Sequence, residues 1–173
     1  MRKIILYSAM SLDGFIARED GNIDWLFSDQ DYGYAEFERE VDTTLMGGAT
    51  YRTILGFGEF PYKRKRNIVF SLSVPPGEHP WVEFVTRNIP AFTAALKDEP
   101  GRDIWLIGGG EINGQLLSNG LIDELILSVH PIVLGSGIPL FRNVTREASW
   151  ELISSESFES GMCQLRYTLP RKN

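Results

Sequence analysis

The chain has 173 residues, 43% hydrophobic and 23% charged, which are the proportions of an ordinary globular protein long enough to bury a core as one domain over 1–173. A net charge of −6 and a pI near 5.0 argue against nucleic acid or an anionic membrane as general partners. The one cysteine, Cys163, excludes an internal disulfide. No zinc-ligand spacing is present, so no metal is expected, and a reducing cytoplasm is the expected compartment.

Lys3 to Ala9 reads as a first strand, mostly apolar after Lys3, and too short an apolar run for a signal peptide. Ser11-Leu12-Asp13-Gly14 turns the chain, Phe15 to Ala17 is apolar again, and Asp20-Gly21 is a second turn. Asn22 to Phe27 carries Asp24 and Trp25. A helix is expected to begin near Asp29 or Asp31, with Tyr34, Phe37 and Val41 on one face. Thr43 to Met46 is a short strand. Gly47-Gly48-Ala49 turns it into a helix through Thr50, Tyr51 and Ile54, which Gly56 and Gly58 end. The basic run Lys63-Arg64-Lys65-Arg66 reads as a solvated loop, with a nuclear signal or a contact to a cofactor phosphate as the other readings. Asn67 to Phe70 is a strand, Pro75-Pro76-Gly77 a rigid loop, and Val82 to Thr86 a further strand. Asn88 and Pro90 open a helix with Phe92, Ala95 and Leu96 inward.

Ile104 to Asn119 is the most informative stretch. Four apolar residues make a buried strand, Gly108 to Gly110 turn it, and Ile112, Leu116 and Leu117 recur at helical spacing until Asn119-Gly120. Free amides at such a helix start, with the positive end of the helix dipole, suit an anion, and glycines let it approach. Read alone, the segment is either a pyrophosphate site for a nucleotide or a tight strand-to-helix turn; it is neither a full G-x-G-x-x-G nor a P-loop. The turn at Gly47 to Ala49 is a second junction of the same kind, and two in a small domain favour the nucleotide reading.

Leu121 to His130 contains a strand over Glu124 to Val129, and Pro131 to Phe141 is loop-like. Trp150 to Phe158 and Met162 to Leu169 form a closing hairpin across Ser160-Gly161. Strands alternating with helices predict an α/β fold whose mostly parallel sheet is covered on both faces and made mixed by that antiparallel hairpin.

In this order the segments resemble the dihydrofolate reductase fold, a three-layer architecture. More closely they resemble the stand-alone relatives of the reductase domain of bifunctional riboflavin-biosynthesis enzymes. The residues that carry the resemblance are Ser11-Leu12-Asp13-Gly14, Trp25, Met46 to Tyr51, Asn67 to Ser71, Ile107 to Gly110 and Gly135 to Phe141. The resemblance implies NADPH as hydride donor. It places Ile107 and the segment Gly108, Gly109, Gly110, Glu111 and Ile112 at the pyrophosphate, with Gln115 one turn on. It places Gly47, Gly48, Ala49 and Thr50 at the second cofactor helix, Ser71 and Leu72 beside the adenosine, and Ala9 and Ile16 beside the nicotinamide. It also implies pairing as a homodimer.

Three positions depart from the pattern. Gly48 stands where dihydrofolate reductases carry an Arg for the 2′-phosphate, leaving Arg52, Arg66 or Arg87 to replace it. Ile107 stands where the riboflavin-pathway reductases carry a substrate-binding Glu. Counting five residues from Trp25 to the expected carboxylate lands on Gln30, between Asp29 and Asp31.

The implied reaction is hydride transfer to a C=N or C=O bond of a small pterin- or pyrimidine-like substrate, related to 5-amino-6-(5-phosphoribosylamino)uracil reduction. A non-catalytic ligand-binding protein of the same fold and a true dihydrofolate reductase are the alternatives. Asp31 either orients substrate and relays a proton or caps a helix. Trp25 either walls the substrate pocket or packs the core. Asp13 fixes its own turn near the nicotinamide. His79, in a Pro-rich loop, and His130, at a strand end, look non-catalytic, and Cys163 reads as a buried structural thiol.

Overall fold

A computed structural model describes residues 1–170. Along them run β1 (Ile4–Ser11), β2 (Phe15–Ala17), α1 (Tyr34–Glu40), β3 (Val41–Gly47), α2 (Gly48–Gly56), β4 (Arg66–Phe70), β5 (Val82–Val85), α3 (Ile89–Asp98), β6 (Asp103–Gly108), α4 (Gly110–Ser118), β7 (Glu124–His130), β8 (Ile138–Pro139), β9 (Glu151–Ser157) and β10 (Cys163–Thr168). Eight strands form one sheet in the order β5-β4-β3-β6-β1-β7-β10-β9, and β2 and β8 form a small ribbon. Within the large sheet only β10 runs against its neighbours, β7 and β9; the other pairings are parallel. This is the mixed, mostly parallel sheet with a terminal hairpin that the sequence predicts.

Both faces of the sheet are covered, which is why its central strands are continuous apolar runs rather than alternating ones. Ile4, Leu6, Leu45, Ile68, Ile104 and Leu106 point to one side, where Leu96 of α3 and Leu116 and Leu117 of α4 pack on them. Their neighbours Ile5 and Trp105 point the other way, to Phe37 of α1. Met46 and Val69 meet Tyr51 of α2 on that same second face.

Several local expectations are corrected. α1 begins at Tyr34 behind a left-handed Gly33, later than Asp29 or Asp31, and Val41 leaves it to open β3. Ala95 is exposed on α3, and Thr93 and Lys97 take the inward positions instead. Lys97 is tolerated there because its ammonium reaches Asp123 at 2.7 Å. Cys163 is half-buried. In the basic run Arg64 and Arg66 are exposed, as in a solvated loop, but the Lys65 side chain is buried and fastened. Lys65 donates to the carbonyls of Glu38 and Val41 at 2.7 and 2.9 Å, satisfying acceptors that the end of α1 leaves without helical partners. Arg66 pairs with Glu83 and Glu99, and Lys63 pairs with Glu59 and lies over the Trp81 ring. No helix of the described residues is long and apolar enough to cross a membrane.

Candidate active site

β3 and β6 are neighbours, but the helices that follow them lie on opposite faces: α2 with Met46 and Val69, α4 with Leu6 and Leu106. Divergence of the connections opens a crevice at the carboxyl ends of the two strands, the usual ligand position in an open α/β sheet. Both glycine turns lie in it. A Cβ on Gly47 would come 3.2 Å from Ile112 and 3.9 Å from the main chain of Gly108 and Gly109. A Cβ on Gly109 would come 3.3 Å from Thr50 Oγ1 and 3.8 Å from Ile16. Ile16, Gly47, Thr50, Gly108, Gly109 and Ile112, spread over 97 positions of sequence from first to last (on the order of half the chain), thus meet in one place. Neither α2 nor α4 receives a side-chain cap, so the amides of both first turns are left to other acceptors.

A strap holds this arrangement. Pro139 pairs with Phe15 across the β2–β8 ribbon, and the Gly110 carbonyl accepts from Arg142 N at 2.9 Å. Asn113 donates from Nδ2 to the Leu140 carbonyl at 2.9 Å. The strap lies so close that a Cβ on Gly110 would meet the Pro139 carbonyl oxygen at 2.3 Å, and one on Gly114 the Arg142 oxygen at 1.7 Å. Gly135 to Phe141 is therefore a structural brace over the start of α4. Asp13 anchors its other end: one carboxylate oxygen accepts from Ser11 Oγ at 2.6 Å and Leu134 N at 3.1 Å, the other from Gly135 N at 2.7 Å. The Ser11 hydroxyl, with these amides, holds the Asp13 carboxyl below its ordinary pKa.

Beside the crevice the sheet splits. β1 pairs with β6 only through Ile4, Ile5 and Leu6, while its pairing with β7 continues to Ser11 opposite His130. The Trp105 indole fills the start of the gap by donating to the Tyr7 carbonyl at 3.1 Å. Next to Ala9 lies a cavity of roughly 420 Å³ walled by Tyr7, Phe27, Tyr32, Tyr34 and Trp105, with Asp31 and His130 among its polar groups. Burial raises the Tyr7 hydroxyl above its ordinary pKa, against hydrogen bonds from Gln164 and Ser128, and the Asp31 charge adds to the rise. Burial lowers the His130 pKa, so the ring is neutral near pH 7. Its Nε2 accepts from Phe27 N at 3.2 Å while Nδ1 bonds the Ser128 carbonyl at 3.1 Å, tying the 25–28 loop to β7.

Among the other residues singled out in the sequence, Asp31 both lines this cavity and accepts from Ala35 N at 3.1 Å, so it caps α1 as well. Trp25 is buried with its ring edge-on to His130, and its indole N–H has no acceptor among the described residues. Gly48 sits against Ser71, whose Oγ lies 3.0 Å from where a Cβ would stand, and Arg52 reaches the same spot at 3.6 Å. Leu72, Ala49, Glu111 and Gln115 are exposed, and Ile107 turns to the α1–α2 face among the neighbours of Tyr62. Tyr7, Phe27, Tyr32, Tyr34 and Trp105 are cavity residues that sequence reading did not single out for the site, and His130 is one that it set aside as non-catalytic. Its one signal was its position at the carboxyl end of a buried strand, where open α/β sheets place their ligands.

Residues 2–164 match the family model described as RibD C-terminal domain. The chain belongs to the RibD C-terminal domain family. Among curated relatives it is 42% identical over 170 residues to the uncharacterized protein YwjB of Bacillus subtilis (strain 168), covering 96% of this chain and 97% of that one. It is 34% identical to the uncharacterized protein YyaP of the same organism, covering 96% and 94%. Among solved structures, a putative riboflavin biosynthesis protein from Shewanella sp. PV-4 superposes with a TM-score of 0.85 at 31% identity, over 99% of this chain and all of that one. A dihydrofolate reductase from Enterococcus faecalis, complexed with NADP(H), superposes at 0.72 over 98% and 97% of the two chains, and at 18% identity it shares the fold alone. The family placement and the dihydrofolate-reductase-like fold accord with the resemblance carried by the glycine turns.

Proposed function

We propose that this RibD C-terminal domain protein is an NADPH-dependent reductase of a small flat heterocycle, of pterin or pyrimidine type. The observation that carries the reading is the pair of uncapped helix starts facing one another across bare glycine backbone, beside an aromatic cavity. The residues fit a dinucleotide. The first-turn amides of α4, with Gly108 and Gly109, would hold the pyrophosphate, and those of α2 would hold the neighbouring phosphate oxygens. Ser71 and Arg52 would receive the 2′-phosphate, with Leu72 beside the adenosine. Ala9 and Ile16 would flank the nicotinamide where β1 parts from β6.

When bound, NADPH supplies the hydride. The cavity's aromatic walls hold the substrate ring flat and exclude water from the reacting face. Tyr7, kept protonated by burial, donates a hydrogen bond toward the substrate. Asp31, open to solvent at the cavity wall, relays from water the proton that completes addition across the C=N or C=O bond. Asp13 and the strap keep the turn near the nicotinamide in place, and Trp25 backs the His130 wall.

The test exchanges Arg52 for Gln and measures NADPH and NADH affinity by nicotinamide fluorescence. Loss of a charge-assisted phosphate contact of about 1.5–3 kcal/mol predicts NADPH binding weakened ~10- to 100-fold, with NADH unchanged. No NADPH binding by the unaltered protein, or equal effects on both cofactors, would reject the assignment. Absence of turnover with bound NADPH across pterins, pyrimidines and quinones would instead support a non-catalytic ligand-binding protein.

A further inference from the structure

We infer that the substrate carries no phosphate or other anionic group, and is a neutral or cationic ring bearing an amino-type donor. This deepens the reductase reading and rests on it. Among the described residues, neither Lys nor Arg lines the cavity beside Ala9. Its charged side chain is the Asp31 carboxylate. A second cavity of roughly 350 Å³ shares the Tyr7 and Tyr32 walls and lies along α1 and β10. There the carboxylates are Glu36, Glu40 and Glu156. The cation of that second cavity, Arg166, is already engaged: its Nη2 and Nε donate to Glu124 Oε2 at 2.8 and 3.2 Å.

Backbone does not make up the deficit. α1 has seven residues, too few for a useful dipole, and its Ala35 amide is taken by Asp31. His130 adds no charge near neutral pH, since its Nε2 accepts from Phe27 N. A ring stacked on the aromatic walls and bonded through an amino group to Asp31 finds a partner for each kind of surface it presents. A phosphate ester on the same ring would enter a region of one charge sign with nothing to neutralise it.

The test uses three matched pairs, each a free ring compound and its phosphate ester: cytidine, pyridoxamine and thiamine with their monophosphates. Affinity for the NADPH-loaded protein is read by thermal shift and tryptophan fluorescence, with a second series on protein without cofactor. At least one free compound is expected to bind, and every ester to bind at least tenfold more weakly than its parent. E36K, on an exposed position of α1, is expected to narrow that ratio several-fold. An ester within tenfold of its parent in any pair, no binding by any free compound, or a ratio unchanged in E36K would overturn the inference. A separate NADPH titration distinguishes failure of the reductase reading, because the cofactor-free series still reports on the ring site.

Discussion

Gly109→Asp separates the anion site from the turn that builds it. Gly109 has φ −81° and ψ −162°, extended backbone of a kind that any residue adopts. Its Cβ would stand 3.3 Å from Thr50 Oγ1, tight enough to require a shift of a few tenths of an ångström. The position is the N-cap of α4, where Asp is a preferred residue and stabilises by about 1 kcal/mol. The fold is therefore expected to survive with its melting temperature equal or slightly raised. The new carboxylate takes the amides that the pyrophosphate would use. Two like charges ~4 Å apart at an effective dielectric constant of about 20 repel by roughly 4 kcal/mol, nearly three orders of magnitude in affinity before salt screening. A loss of at least about 100-fold in NADPH affinity is expected, measured by nicotinamide fluorescence, with the thermal melt as control. NADPH bound within threefold of the unaltered affinity, on a protein of unchanged stability, would refute the assignment of the α4 amides to phosphate.

Two further outcomes follow from the geometry. Gly114→Ala should destabilise despite the higher helix propensity of Ala, because the added Cβ would lie 1.7 Å from the Arg142 carbonyl oxygen. A loss of about 2–3 kcal/mol, roughly 4–12 °C in melting temperature, is expected by urea and thermal unfolding, and a stabilised variant would disprove the strap's close approach. Burial lowers the folded pKa of His130, so its contribution is complete above about pH 6.5, where both states are neutral, and falls as the pH drops from there toward the lowered folded value. H130Q should flatten the fall in melting temperature across that window; an identical pH profile would show that the ring titrates as it does in the unfolded chain.

Local chemistry was legible in the linear chain wherever a short segment suffices to determine it. Four apolar residues followed by three glycines and a helical repeat specify strand, turn and helix at Ile104 to Asn119, and the structure has β6 and α4 there. The Gly47 turn reads the same way, and the terminal hairpin follows from its two strands and Ser160-Gly161. The alternation of elements was enough to predict a covered, mixed sheet. Where the sequence misled, a local rule met a tertiary competitor. Ala95 has the spacing of an inward residue, but α3 is rotated to bury Thr93 and Lys97, the latter paid for by Asp123. Lys65 belongs to a run that looks solvated, yet the end of α1 supplies it with two carbonyls.

The sequence by itself determined that the chain makes two glycine-lined helix starts on a buried parallel sheet. Those properties depend on backbone freedom, hydrophobic period and unclaimed amides, all of them local. Only the tertiary structure decided that the two starts face each other, since this follows from placing β3 beside β6 with α2 and α4 on opposite faces. The aromatic cavity was decided there too. Its walls come from β1, the loop before α1, the start of α1, β6 and β7, and that no Lys or Arg of the described residues lines it follows from which side chains those elements turn inward. No spacing along the chain encodes that juxtaposition, because strand order is set by the packing of both sheet faces at once.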